Sequence, residues 1–391
     1  MNILFVGYWG ANEGLSQATI NPHLEILASF PEVEKIIYSS IERGEEKMYR
    51  IPQNQKLKHL PLKANRWRFR IINKIYEVLF FSRQLKNVAR KEAINLIICR
   101  STLAGNFGLF IHQKLKIPFV VESFEPHAEY MREIGIWKRT GISYHFQKKK
   151  EKLQITEAGH LFPVSNKYKE FLVEQGVDPL KISVIPCCVD LDVFDFSVKD
   201  RLKLRKYLSI GENAKTGIYV GKFGGIYFTL NDAFKLFKAA ADYFEQFHLI
   251  LLTPTSEEEV EEVAKQVNFS VKNLTVKSVL HTEVPPYLSA SDFAYSLHLP
   301  KKNMRYVSPI KNGEYWANGL PVLISEEIGD DSEILKDQGL GSIMTNRNNL
   351  RKCYSEIQSI WNIPDYRNKI KKLAKDFKSF DLVKNAYQKS I

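Results

Sequence analysis

Short, almost uninterrupted apolar runs recur along this 391-residue chain, each followed by a longer segment with apolar residues at helical spacing. In the first half the runs are Ile3–Tyr8, Ile36–Ser39, Leu96–Arg100, Phe119–Glu122, His160–Val164 and Ile182–Pro186. In the second half they are Gly217–Gly221, Leu249–Thr253, Leu274–Ser278, Phe293–Ser296 and Pro321–Ser325. A strand that is apolar on both faces must be covered on both faces, and intervening helices supply the cover; this is the pattern of parallel α/β sheets. Two such sets, in a chain too long for one ordinary core, predict two Rossmann-like, doubly wound domains. The break falls in VIPCCVDLDVFDFS, which gives a first domain over 1–188 and a second over 189–374. The lysine-rich stretch Asp365–Ile391, with apolar residues at helical spacing, predicts one or two amphipathic helices, the one over 375–391 packing back on the first domain. Ligands of doubly wound sheets bind beyond the carboxyl ends of the strands, so two such domains are expected to face each other across one cleft.

Several classes of protein are disfavoured. There is no run of eighteen apolar residues to span a bilayer. The start, MNILFVGYWG, reads as a strand and turn, not as a signal peptide. Cys99, Cys187, Cys188 and Cys353 show neither C-x-x-C nor zinc spacing, and Cys99 ends the apolar run LIIC as a small core residue. A reducing, cytoplasmic setting fits that usage. The net charge of +12 is concentrated: Lys56–Arg100 holds 12 lysines and arginines against Glu77 and Glu92. Such an excess suits an anionic partner, a membrane surface or a phosphorylated substrate. No helix-turn-helix, RRM or zinc pattern accompanies it, so nucleic acid is not the expected partner.

The segment richest in chemistry is SPIKNGEYWANGLPVLIS, Ser308–Ser325. Ser308 suits an N-cap, Pro309 the first helical position, and Asn318-Gly319 a left-handed helix end before a buried strand. The start of that helix favours a phosphate through free N–H groups and its partial positive charge. Lys311 and Glu314, three apart on one face, place a cation beside the phosphate and a carboxylate within reach of ribose hydroxyls. The same spacing also describes a solvated Lys–Glu pair on an ordinary helix.

This segment resembles the donor-binding signature of family 4 glycosyltransferases, in the variant S-P-x-K-x-x-E-Y-x-A-x-G-x-P-V. Three further stretches carry the same resemblance: Pro163–Phe194 to the end of the first domain and the linker, YVGKFGG (Tyr219–Gly225) to a glycine-containing loop, and Val279–Ser296 to a base-binding loop and its helix. The resemblance implies a retaining enzyme of the two-Rossmann (GT-B) fold. It assigns the ribose to Glu314, a phosphate to Lys311, a second phosphate cation to Lys222 beside Gly225, and the diphosphate cradle to the backbone of Ser308, Pro309 and Ile310. Leu280 or His281 would lie by the base. In the first domain it places Gly14, with Gly10, in a loop approaching the donor phosphates. RSTLAGN puts Arg100 at a strand's carboxyl end, and FVVESFEPHAEYM puts His127 where an active-site histidine is expected. One departure stands out: many family members carry E-x7-E, and the first glutamate is Tyr306 here, which bears on donor-sugar choice.

The chemistry so implied needs little from the protein beyond positioning and charge. The leaving diphosphate can take the acceptor's proton on the same face, while the lysines and helix start stabilise its charge. His127 would hydrogen-bond the donor sugar or the developing oxocarbenium region. No metal and no cofactor beyond the nucleotide sugar is expected, the acidic candidates being Asp190-Leu-Asp192 in the linker and Asp330-Asp331 as a helix cap. The expected partners are a nucleotide-sugar donor and a glycan or polyprenyl-linked acceptor of surface polysaccharide synthesis. The basic, aromatic-rich stretch 63–91 is expected to attach the protein peripherally to an anionic membrane, on the cytoplasmic face, with Lys148–Lys150, Lys138 and Arg139 adding to it. A nucleotide-sugar epimerase, or a sugar-nucleotide-binding protein without transferase activity, would share the two-domain plan.

Overall fold

The computed structural model describes the chain except residues 46–47, 66–72, 74–75, 346–348 and 391. The chain divides into two compact units, Met1–Pro186 with Phe380–Ile391, and Cys187–Ser379.

The first unit is built on β1 (Asn2–Gly7), β2 (Lys35–Glu42), β3 (Leu57–Lys63), β4 (Leu96–Arg100), β5 (Phe119–Ser123) and β6 (His160–Pro163). They form one sheet in the order β3-β2-β1-β4-β5-β6, parallel throughout. The second unit uses β7 (Lys215–Val220), β8 (Phe247–Leu252), β9 (Leu274–Lys277), β10 (Phe293–Ser296), β11 (Val322–Ser325) and β12 (Gly341–Met344), in the order β12-β11-β10-β7-β8-β9. Its pairings are also parallel. Counted from its own first strand, each sheet has the order 3-2-1-4-5-6 of a doubly wound nucleotide-binding domain. The strand order therefore reverses between β1 and β4, and again between β7 and β10. These two switch points are where such sheets open a crevice for a ligand.

The expected apolar runs are mostly central strands, buried at every or nearly every position. At the sheet edges two strands are unexpected, β3 and β12, and one expected strand is absent. The sequence LKHLPLK of β3 mixes half-exposed residues with Pro61, and Gly341–Met344 of β12 is four residues long. Edge strands need neither continuous apolar character nor length. The run Ile182–Pro186 is not a strand. It touches β6 by one bridge, Leu161 to Ile182, and by N–H bonds from Ser183 and Ile185.

Helices cover the faces by close approach. On the helix Thr102–Leu115, a Cβ at Gly108 would sit 2.4 Å from the Cys99 sulfur, so glycine lets this helix lie against β4. The four cysteines are buried. The one or two helices expected over Asp365–Ile391 are two, Tyr366–Lys378 in the second unit and Phe380–Ser390, which starts five residues later than the expected 375, in the first. Extended backbone at Ser379 separates them. In the second, Tyr387 is fully buried and donates its hydroxyl to Glu122 of β5, which anchors the chain's end to the first sheet.

Of the apolar helix face that the sequence predicts at 72, 75, 76, 79 and 80, the described Leu79 and Phe80 are exposed and do not pack on the sheet. Residues 72 and 75 lie outside the described residues, as do Arg66, Trp67, Arg68, Phe69 and Arg70. Glu77–Phe81 is a π-turn entering the helix Ser82–Lys91. The wider turn rotates the side chains that follow it, so Phe81 is buried while Leu79 and Phe80 are exposed. No helix among the described residues is long and apolar enough to cross a membrane.

Candidate functional site

In the second unit the residues singled out by the sequence gather at the β7/β10 switch point. The helix there is Ile310–Ala317, with Pro309 as its N-cap and no side-chain cap. Ser308 is thus not the cap. Its hydroxyl accepts from the Lys378 ammonium at 2.7 Å and from the Cys187 N–H at 3.2 Å. Lys378 also pairs with buried Asp331 at 2.7 Å, and Asp331 accepts from the Asn312 amide at 2.8 Å. Of the expected cap Asp330-Asp331, Asp330 is the N-cap residue of the helix Asp331–Gln338, and Asp331 is a buried counter-ion. Burial raises its pKa and Lys378 opposes the rise. This network fixes the helix start from behind. Ile310 and Lys311 are left as first-turn residues whose N–H groups have no partner within the helix.

Lys311 points its ammonium into a box of rings. The Nζ atom is buried and makes no hydrogen bond among the described residues. It lies 4.7 Å from the ring centre of Tyr219 and 4.4 Å from that of Tyr227. Burial lowers its pKa to about 7, against the opposing pull of Glu314. His298, just past β10, closes the box: its ring is 5.0 Å from Tyr227, and burial with the Lys311 charge pushes it down to about 3. Rings offer an ammonium some cation–π attraction but no counter-ion. A desolvated cation without one is costly, so this geometry suits an arriving anion.

The glycine loop is shaped around that ammonium. Gly221, the first residue after β7, has φ of 138°, and a Cβ there would stand 3.0 Å from Lys311 Nζ. Gly224 and Gly225 also have positive φ, at 81° and 68°, with open space where side chains would be. The loop is pinned by Gly224 N–H to Phe228 O at 2.8 Å and by Tyr219 hydroxyl to Lys222 O at 2.7 Å. Lys222 is exposed, and its ammonium makes no ion pair or hydrogen bond among the described residues. Its loop approaches Lys311 through Gly221.

Glu314, one turn along the helix, is buried and bonded through Oε1 to His281 Nε2 at 2.6 Å. That bond raises the His281 pKa, with burial opposing. His281 opens the short turn before the helix Val284–Ala290 and is partly open to solvent, while neighbouring Leu280 is exposed. Lys311, Glu314, His281 and the Gly221–Gly225 loop thus belong to one site. Tyr219, Tyr227 and His298 complete it and were not anticipated. The positions of Tyr219 at the end of β7 and His298 just past β10 were the available signal; Tyr227 lies in the loop after β7 and gave none. Tyr306, at the position of the absent glutamate, is buried at the end of a 3-10 turn.

The first unit departs further from expectation. Gly14 opens the short helix Gly14–Thr19 with open space around it. The loop before it is not a free phosphate cradle. Gly10 N–H is taken by Glu13 at 3.0 Å and Ala11 N–H by buried Glu42 at 2.9 Å, two carboxylates where a phosphate would need amides. Arg100 is 1% exposed and spent on a buried pair with Glu122 at 2.5 Å. Glu122 also contacts His23 at 3.2 Å and Tyr387. Burial would raise the Glu122 pKa, but Arg100 and His23 outweigh it and hold it at about 2. A charge so enclosed needs a partner, and Arg100 is that partner in place of a donor contact.

His127 opens the helix His127–Glu133 directly after β5. Its Nδ1 is 2.9 Å from Glu125, its ring packs edge-on against Trp137 at 5.6 Å, and Glu151 accepts the next N–H, that of Ala128, at 2.9 Å. Burial opposes protonation of the ring, but Glu125 and Glu151 prevail and raise its pKa. Burial lifts Glu151 itself to about 7. Within the Lys148–Lys150 patch, Lys148 is already paired with Glu129.

Residues 43–193 match the sequence profile of Glycosyltransferase Family 4. No curated protein compared with the chain matches it. Solved structures match nearly its whole length. A sucrose-phosphate synthase from Thermosynechococcus elongatus superposes with a TM-score of 0.72 at 15% identity, covering 99% of this chain and 97% of its own. HepE from Anabaena, solved with UDP-glucose, gives 0.71 at 14% identity over 100% and 98%. WaaG, a glycosyltransferase involved in lipopolysaccharide biosynthesis, gives 0.71 at 12% identity over 98% of each chain. At such identities the likeness is one of fold, and the fold is the two-Rossmann GT-B fold. The family resemblance read from the sequence is met independently in the first half of the chain, while the Ser308–Ser325 signature lies outside the matched residues.

Proposed function

We propose that this chain, with its family 4 match and GT-B fold, is a retaining hexosyltransferase whose second unit binds a nucleoside-diphosphate sugar. One observation carries the reading: a buried, unpaired lysine ammonium at the β7/β10 switch point, on the first turn of a helix that bears a buried glutamate one turn later. In this reading Lys311 and the first-turn N–H groups hold the diphosphate, with Lys222 of the glycine loop as second cation. Glu314, braced by His281, receives the ribose hydroxyls, and His281 and Leu280 border the base. HepE, the structural neighbour solved with UDP-glucose, supports the donor class by fold alone. Charge on the departing diphosphate is neutralised by lysines and helix dipole, so no metal is required. His127, held between Glu125 and Glu151, orients the donor sugar. The acceptor is a glycan or lipid-linked glycan of surface polysaccharide synthesis.

Glu314→Ala tests the ribose assignment. Hydrogen bonds to a charged group are worth about 1.5–3 kcal/mol, so calorimetry should find donor binding roughly tenfold to a hundredfold weaker, with the fold intact by circular dichroism. Unchanged affinity would remove Glu314 from the site. Accumulation of a donor epimer, or free nucleotide without any acceptor, would favour the epimerase reading instead.

Peripheral attachment to an anionic surface belongs to the same reading. Leu79 and Phe80 are exposed, at 54% and 46%, beside Arg83 and the basic stretch 63–91. Exposed apolar side chains within a basic segment suit the headgroup boundary of a bilayer. Replacing both with aspartate should abolish sedimentation with vesicles containing phosphatidylglycerol; undiminished sedimentation would rule out this attachment.

A further inference from the structure

The ammonium that the donor reading needs is closed off in this structure. Lys311 Nζ is buried, and three neighbours cover it: the rings of Tyr219 and Tyr227, and Gly221, where an added Cβ would stand 3.0 Å away. A phosphate oxygen has to come within about 2.9 Å of the nitrogen to accept a charge-assisted hydrogen bond. One covering group must give way before an anion can arrive, and the three are not equally fixed.

Tyr219 is a wall. It ends β7 but for one residue, is fully buried, and donates its hydroxyl to Lys222 O at 2.7 Å. Phe223 stacks on its ring with centres 4.8 Å apart. Gly221 is fixed as well, its N–H bonded to Leu252 O of β8 at 2.9 Å. Tyr227 is held less. It stands in the loop beyond the strand, is half-buried, and its hydroxyl makes no hydrogen bond among the described residues. Its backbone meets the segment after β10 by one bridge, to His298, with Leu299 N–H bonded to Ile226 O at 2.8 Å. Just before it, Gly224 and Gly225 have positive φ and open space around them. Local opening costs least where buried contacts and tertiary bonds are few.

The ring of Tyr227 is kept in place by the group it covers. Its centre is 4.4 Å from Lys311 Nζ, nearer than that of Tyr219, and the His298 ring lies 5.0 Å away from it. A neutral ring gives an ammonium a weaker partner than a diphosphate does, so an arriving diphosphate can take its place.

We propose that Tyr227 is a gate on the donor site: its ring covers the Lys311 ammonium in the free protein and is displaced when a nucleoside diphosphate binds. This rests on the reading of the second unit as a donor site and adds how that site is entered. The fraction of molecules with the gate open then scales the apparent affinity for the donor.

Acetylation of lysines reads the gate without any nucleotide. Burial holds Lys311 at about 7, so at pH 8 an accessible Lys311 would be mostly unprotonated and would react faster than the exposed Lys222. A pulse of acetic anhydride on the full chain, followed by peptide mass spectrometry, compares the two. The proposal expects Lys311 to react more slowly than Lys222 in the wild type. In Tyr227→Ala it should react about 2- to 30-fold faster than in the wild type, the range for one ring–ammonium contact, and in Tyr227→Phe as in the wild type. Calorimetry with UDP, GDP, CDP and ADP is the second arm. The nucleotide that binds the wild type should bind Tyr227→Ala about 2- to 30-fold more tightly. Wild-type Lys311 reacting as fast as Lys222 would overturn the gate by itself, even if circular dichroism shows the alanine variant unfolded. Equal or weaker nucleotide binding by folded Tyr227→Ala would overturn it too, and leaves the donor reading standing. No nucleotide bound by any of the three proteins would remove the donor reading and the gate with it.

Discussion

Lys311→Met should weaken binding of the nucleotide-sugar donor by about 2–5 kcal/mol, the cost of truncating one member of a buried charge pair. That corresponds to a dissociation constant roughly 30- to 4,000-fold higher. Without ligand the same variant should be the more stable protein, because methionine removes a desolvated cation that hydrogen-bonds to nothing among the described residues. Opposite signs in the two measurements distinguish a binding lysine from a structural one. The pH dependence follows from the same group. In the free protein burial holds Lys311 at about 7, and a bound diphosphate raises that value. Binding then takes up a proton above pH 7, and the dissociation constant should climb by about tenfold per pH unit from there until the raised value is reached. For folding alone the sign is reversed: a lysine with a lowered pKa costs stability, most fully below about 7, and the cost fades as pH rises toward its unfolded value of about 10.4. A donor affinity flat between pH 7 and 9 would contradict the assignment. Calorimetry in buffers of different ionisation enthalpy measures the proton uptake directly.

Arg100→Met should destabilise the first unit by about 3–5 kcal/mol, since it strands Glu122 as an uncompensated buried charge. Arg100→Met with Glu122→Leu removes both charges and should recover most of that loss. A double variant no more stable than the single would mean the pair acts through its shape. The carboxylate has a clear pH signature. Its folded pKa is depressed to about 2 from 4.5, so its contribution is full above 4.5 and is lost as pH falls toward 2. Arg100→Met should therefore show a smaller fall in thermal stability between pH 5 and 3 than the wild type.

Central strands could be read from the sequence because burial on both faces leaves an uninterrupted apolar run, as in Phe119–Ser123. The edges could not, because β3 and β12 are buried incompletely and need no such run. Ile182–Pro186 carries the run but makes only one bridge. In the site, Lys311 and Glu314 were legible because both lie on one helix and their spacing is local. The ring box of Tyr219, Tyr227 and His298 was not, since it forms only when β7 and β10 become neighbours across seventy residues of chain. Lys378 and Asp331, which fix Ser308, are joined to it through the same long-range topology. Arg100 misled for the opposite reason. A cation at a strand's carboxyl end looks like a ligand contact until its counter-ion is located one strand over.

The central claim is that the second unit is a working donor site, and a thermal-shift screen tests it most directly. Full-length protein, and Glu314→Ala beside it, would be heated with UDP, GDP, CDP or ADP and their sugar conjugates, without added metal. Ligand at a hundredfold over its dissociation constant stabilises by about 2.7 kcal/mol, so the account predicts a clear shift with one diphosphate, reduced or lost in the variant. No shift with any of them on folded protein, or an equal shift in both proteins, would contradict it.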